Sequence, residues 1–120
     1  MELVFIELAG FTQALPDYLG DDRNYQDLQQ ALLQNPMAGV VMKGCGGLRK
    51  IRWKDSRRGK GKRGGIRVLY LHLPEFEKLA FLDIYDKDEK EDLTASQRAY
   101  LSQIAESIRD DLRKRRKPLP

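Results

Sequence analysis

Between residues 39 and 85 the chain alternates glycine clusters with strand-like runs, and this pattern limits the fold more than any other feature. Eight of the ten glycines fall between Gly39 and Gly65. Gly44-Cys45-Gly46-Gly47 reads as a turn and Leu48 to Lys54 as a strand. Gly59 to Gly65 (GKGKRGG) reads as a loop and Ile66 to Leu73 (IRVLYLHL) as a second strand. Strand, glycine loop and strand together read as a long β-hairpin. Pro74-Glu75 then turns the chain into a third strand, Lys78 to Tyr85, rich in Leu, Phe and Ile. One antiparallel sheet is expected from these three.

The flanks supply the rest. Glu2 to Leu8 (ELVFIEL) reads as a strand added at one side of the sheet. Phe11 to Leu19 reads as a short helix, limited by Pro16 and stopped near Gly20. A second helix starts at Asp21 or Asp22, which offer an N-cap and acidic first-turn charge. Its apolar stripe is Tyr25, Leu28 and Leu32, with Ala31 and Leu33 alongside, and Asn35-Pro36 ends it. Thr94-Ala95-Ser96-Gln97 matches a capping box, followed by Leu101, Ile104, Ile108 and Leu112 on one helical face. The basic run Arg113 to Lys117 suits a helix C-terminus, and Pro118 stops it. The order β-α-α-β-β-β-α predicts a small α+β protein, a single domain over residues 1–120. Its sheet is curved and mainly antiparallel, with helices packed on it.

An apolar content of 41% is enough for one core. No stretch approaches the roughly 20 apolar residues of a membrane span. The run Leu3 to Leu8 is short, interrupted by Glu7 and preceded by no basic segment, so it does not read as a signal peptide. The one cysteine, Cys45, excludes an internal disulfide and a cysteine-built metal site. A soluble, cytoplasmic protein with no membrane contact is expected.

Charge is distributed unevenly. Residues 1–42 hold one basic and six acidic residues, residues 43–67 eleven basic and one acidic, and residues 68–120 ten basic and eleven acidic. Half the cations therefore lie in the glycine-rich middle, and the commonest polyanion for such a local field is nucleic acid. Along a strand, side chains alternate between faces, so Lys50, Arg52 and Lys54 share one face while Ile51 and Trp53 share the other. Arg67 falls in with Leu69 and Leu71. One face of the hairpin then carries Lys50, Arg52 and Arg67, with Lys60, Lys62 and Arg63 in the loop above. Cations held this close repel one another unless an anion joins them.

Other motifs carry less. Gly59 to Gly64 fits G-x-G-x-x-G literally, but a strand follows where a dinucleotide site needs a helix. The loop either brings cations close to a phosphate or is a solvated hairpin tip. His72, the only histidine, reads as a strand-end residue, and Cys45 as a turn residue without a base. The acidic cluster Asp83, Asp86, Asp88, Glu89, Glu91 and Asp92 is interleaved with lysines and reads as an internal partner of the basic hairpin, not as a metal site.

The run GGLRKIRW, the loop GKGKRGG, the strand IRVLY and the segment LDIYDKDEKEDLT followed by Gln97 resemble the HigB-type toxins of the RelE/ParE superfamily. These are the toxin halves of bacterial type II toxin–antitoxin pairs, and the match runs in order over most of the chain. The resemblance implies a RelE-like fold and a ribosome-dependent messenger-RNA endoribonuclease acting in the ribosomal A site. The RNA's own 2′-hydroxyl attacks, the 5′-oxygen of the next nucleotide leaves, and a 2′,3′-cyclic phosphate remains. That chemistry needs a base, charge for the crowded phosphorane and a proton for the leaving oxygen, and cationic clusters can supply all three.

Carried over position by position, the family's basic strand residues fall on Lys50 and Arg52, and its arginine before an aliphatic pair and tyrosine falls on Arg67. Arg67 is then the transition-state clamp, Lys50 and Arg52 bind phosphate, and Lys87 is the candidate base or acid. Lys54, Lys60, Lys62, Arg63 and Tyr85 are the implied ribosome and RNA contacts. The pattern departs at Asp88, where the family has arginine, and at Thr94, near which its catalytic tyrosine would fall; either Tyr85 compensates, or the activity is slow or relies more on ribosomal groups. The resemblance implies no metal or cofactor. Its partners are the 70S ribosome with messenger RNA and a helix-turn-helix antitoxin of HigA type, through which the complex binds operator DNA. Two other readings use the same residues: a ParE-type inhibitor of DNA gyrase, and a non-catalytic nucleic-acid-binding module.

Overall fold

The computed structural model describes residues 3–20, 22–56, 65–86 and 93–115. Along the chain these form β1 (Val4–Glu7), α1 (Ala9–Leu19), α2 (Asp22–Gln34), β2 (Val40–Val41), β3 (Arg49–Trp53), β4 (Ile66–Leu73), a 3-10 turn (Pro74–Phe76), β5 (Lys78–Asp86) and α3 (Ala95–Arg115). The protein is α+β: among the described residues, three α-helices pack on a five-stranded mixed sheet of order β1-β5-β4-β3-β2. The antiparallel trio β3, β4 and β5 stands as the sequence predicts.

Three features extend or correct the sequence reading. A fifth strand, the two-residue β2, adds to β3 at the sheet edge. At the other edge β1 runs parallel to β5, with Val4 opposite Lys78, so the sheet is mixed. Helix α1 starts at Ala9, ahead of Phe11, and carries Pro16 inside it. A proline there removes one backbone donor from a helix whose inner face is held by packing.

The sheet buries both faces. Strand β4 is apolar along nearly its whole length, as a strand covered on two sides must be. Ile66, Val68 and Tyr70 point under α1 and α2, where they join Phe11, Leu28, Leu32 and Phe81. Phe81 stacks on Phe11 at 4.6 Å and on Phe5 at 5.7 Å between ring centres. Leu69, Leu71 and Leu73 point the other way, under Ala105 and Leu112 of α3.

Local chemistry fixes each cover. The capping box of α3 forms as read: Thr94 N–H donates to Gln97 Oε1 at 2.8 Å and Gln97 N–H to Thr94 Oγ1 at 3.1 Å. The glycine turn before β3 seats this helix. Gly46 has φ +71°, and a Cβ there would lie 3.1 Å from Ala105 Cβ and Ser102 Cα. Arg98 donates to Lys43 O at 2.6 Å across the same contact. Opposite it, the Tyr70 hydroxyl donates to Pro36 O at 2.7 Å and accepts from Gly39 N–H at 2.9 Å. Burial pushes that hydroxyl's pKa up, which keeps its proton available for the bond.

Strand β5 contains a bulge. Leu69 pairs with Asp83 but Tyr70 with Phe81, leaving Leu82 as the extra residue. Before it Leu79 and Phe81 face α1 and α2; after it Ile84 does. The insertion therefore switches the alternation, and Tyr85 emerges on the α3 side.

Candidate nucleic-acid interface

The registers of β3, β4 and β5 place three of the candidate side chains in one row. Arg52 lies directly opposite Arg67, and Arg67 directly opposite Tyr85. Lys50 stands one step along, opposite Leu69. All four belong to the α3 side of the sheet, beside the buried Leu69 and Leu71. Arg52 is exposed, while Lys50, Arg67 and Tyr85 are half-buried. Directly opposed residues have their Cβ atoms about 4.5–5.5 Å apart, and like charges so placed destabilise the pair.

Tyr85 owes its position to the bulge. Without the extra Leu82, continued alternation from Leu79 and Phe81 would send residue 85 into the core under α1 and α2. The insertion puts a phenol beside the arginine pair instead.

The outer end of β3 is anchored by a buried polar residue that the sequence reading missed. Asn24 of α2 accepts from Trp53 Nε1 at 2.7 Å, and its amide nitrogen donates to Lys54 O at 3.2 Å and to Ser56 Oγ at 2.8 Å. A single asparagine thus ties together the last strand residue and the first residues of the loop. Its place on the inner face of α2, one turn before Leu28, is the only signal the sequence offers.

Lys54 does not join the row. The strand ends at Trp53, and the Lys54 ammonium lies 3.8 Å from Asp27 of α2, an exposed and therefore weak ion pair. Arg49, which the sequence groups with the other cations, serves the fold: its guanidinium donates to Gly39 O at 2.8 Å and Met37 O at 3.3 Å. Lys60, Lys62, Arg63 and Lys87 lie outside the described residues, as do Asp88, Glu89, Glu91 and Asp92 of the acidic cluster.

Beside the row a cavity of about 380 Å³ opens between the sheet and the first turns of α3. Leu69 and Tyr85 come from the sheet; Gln97, Tyr100 and Leu101 come from the helix. The sequence identifies Gln97 as a cap and Leu101 as core, but a cavity arises only from the way α3 crosses the strands, which no local pattern encodes.

His72 and Cys45 stand apart from this row. His72 shares the face of Tyr70, and burial, with the charge of Arg49 second, lowers its pKa from the ordinary 6.5. Cys45 is buried in the glycine turn with its Sγ 3.6 Å from Lys43 O. Among the described residues no three His, Cys, Asp or Glu side chains gather where they could hold a metal ion, and no helix is long and apolar enough to cross a membrane. No protein-family model matches the chain.

Proposed function

We propose that this protein is a ribosome-dependent endoribonuclease of HigB type with a RelE-like fold, the toxin of a toxin–antitoxin pair. The observation that carries the reading is the direct opposition of Arg52 and Arg67 on adjacent strands. Two arginines at directly opposed positions gain from an anion that both can grip, and the two non-bridging oxygens of a tetrahedral phosphodiester suit the two-pronged guanidinium. Lys50 adds a third cation one step away.

In this reading the scissile phosphate lies across Arg52 and Arg67. The 2′-hydroxyl on its 5′ side forms the new P–O bond as its proton passes to a base. The bond to the 5′-oxygen breaks, and that oxygen takes up a proton. Arg67 holds the extra negative charge of the phosphorane, which exists only on the way to products. Lys87 and Tyr85 are the groups proposed to move the protons. The ribosome presents the messenger in the cytoplasm, and a helix-turn-helix antitoxin of HigA type restrains the toxin and links it to operator DNA.

Primer extension on a defined messenger in a purified translation system tests this, with and without ribosomes, for wild type and Arg67→Ala. Cuts that require both ribosomes and Arg67 are expected. An intact messenger with inhibited DNA supercoiling would move the protein to the gyrase-directed class. Salt-sensitive RNA binding without cleavage would make it a binding module.

A further inference from the structure

We infer that the cavity under the first turns of α3 holds one nucleobase of the RNA, the one attached through its ribose to the phosphate on Arg52 and Arg67. The inference rests on the reading just given and assigns to it a base-binding subsite.

Position comes first. Tyr85 belongs both to the cationic row and to the cavity wall. Adjacent strands lie about 4.8 Å apart, so the step from Arg67 to Tyr85 matches the reach of one ribose. Chemistry comes second. Among the described residues the cavity's wall is mainly apolar, and the one charged side chain there is the carboxylate of Asp83. A wall of this kind suits the uncharged, flat part of a nucleotide better than its phosphate. Two tyrosines line it, Tyr85 from the sheet and Tyr100 from the helix. Aromatic rings are the usual platforms for unpaired bases. Its volume of about 380 Å³ takes one base with its sugar edge and not a folded helix of RNA.

Gln97 supplies the polar reader. Its side-chain oxygen is occupied by Thr94 N–H in the capping box, which fixes the carboxamide and leaves its NH₂ as the end available to a ligand. The subsite therefore reads a hydrogen-bond acceptor on the base edge. Gln97→Glu keeps the capping box, since glutamate serves equally at that position, but replaces the donor with an acceptor.

Amide-detected NMR titration of the full chain tests the assignment, using guanosine 3′-monophosphate and ribose 5-phosphate as probes. Both are expected to move the amides of Arg52 and Arg67. Only the nucleotide should move those of Tyr85, Gln97 and Leu101, and it should bind about tenfold or more tightly than the sugar phosphate. Tyr100→Ala, at a residue 65% exposed, should reduce that preference several-fold with the fold intact. Gln97→Glu should weaken the nucleotide several-fold more than it weakens the sugar phosphate. Equal affinity for both probes, or shifts that stop at the arginine row, would overturn the base subsite while leaving the phosphate site standing. Absence of binding by either probe overturns the subsite as well. Ribosome-dependent cleavage then judges the endonuclease reading separately.

Discussion

The two faces of the sheet are made by the same strands and do opposite work. Under α1 and α2 the cover is complete: Phe11, Leu28, Leu32, Val68, Tyr70 and Phe81 are buried, and the polar groups there are spent on holding the chain together. Under α3 the cover is partial. Leu71, Leu73 and Leu112 close one end, and the other opens on Lys50, Arg52, Arg67 and a cavity. Arg49 and Arg52 show the contrast within a single strand. Arg49 reaches two carbonyl oxygens on one side, whereas Arg52 faces a second arginine on the other. One face spends its charge on holding the chain together, and the other sets two arginines directly opposite each other on neighbouring strands.

The contrast can be broken most forcefully at its closed face. Phe81→Ala removes the ring on which Phe5 and Phe11 stack, and it should lower the unfolding free energy by about 3–5 kcal/mol in a urea titration. A loss below 1 kcal/mol would mean that the core is elsewhere. On the proposed endonuclease reading, Arg67→Ala should do the reverse, lowering cleavage by about 100- to 1,000-fold, as loss of one charge-stabilising donor does, while moving stability by less than about 1 kcal/mol. A variant that loses both together would show that the open face is structural too.

Asn24→Ala sharpens the boundary between the regions. It leaves the Trp53 indole N–H without its partner, and a loss of about 1–3 kcal/mol is expected. The smallest effect is a pH dependence on the closed face. Folding lowers the His72 pKa, so the unfolded chain binds the proton more readily and stability is lost as pH falls below the ordinary 6.5. Urea midpoints for wild type and His72→Gln between pH 7 and pH 5 should converge on a flatter profile for the variant.

Elements with a strong local signature were legible in the sequence. The capping box at Thr94 and Gln97 appears with both its hydrogen bonds, and the stripe Leu101, Ile104, Ile108 and Leu112 meets the sheet. Strands β3 to β5 lie within a residue or two of their expected bounds. Alternation also puts Lys50, Arg52 and Arg67 on a common face. Features set by partners distant in sequence were not legible. Strand β2 has only Val40 and Val41 and exists because β3 offers an edge. The bulge at Leu82 has no glycine to announce it, so the side on which Tyr85 emerges follows only from the pairing with β4. Lys54 obeys the alternation in sequence but lies past the end of its strand, where Asp27 takes it.

The parallel pairing of β1 with β5 sets the timetable on which such a chain can close its core. Val4 finds its partner at Lys78, 74 positions later, and β5 in turn needs β4 on its other side. Helices α1 and α2 are made early, yet the buried strand residues they cover, Ile66, Val68, Tyr70, Leu79, Phe81 and Ile84, all lie in the second half of the chain. A nascent chain therefore has no core to close until β5 has been synthesised, and closing so long a loop is entropically slow. The assembled arginine row is correspondingly a late product of folding, appearing after most of the chain has left the ribosome that made it.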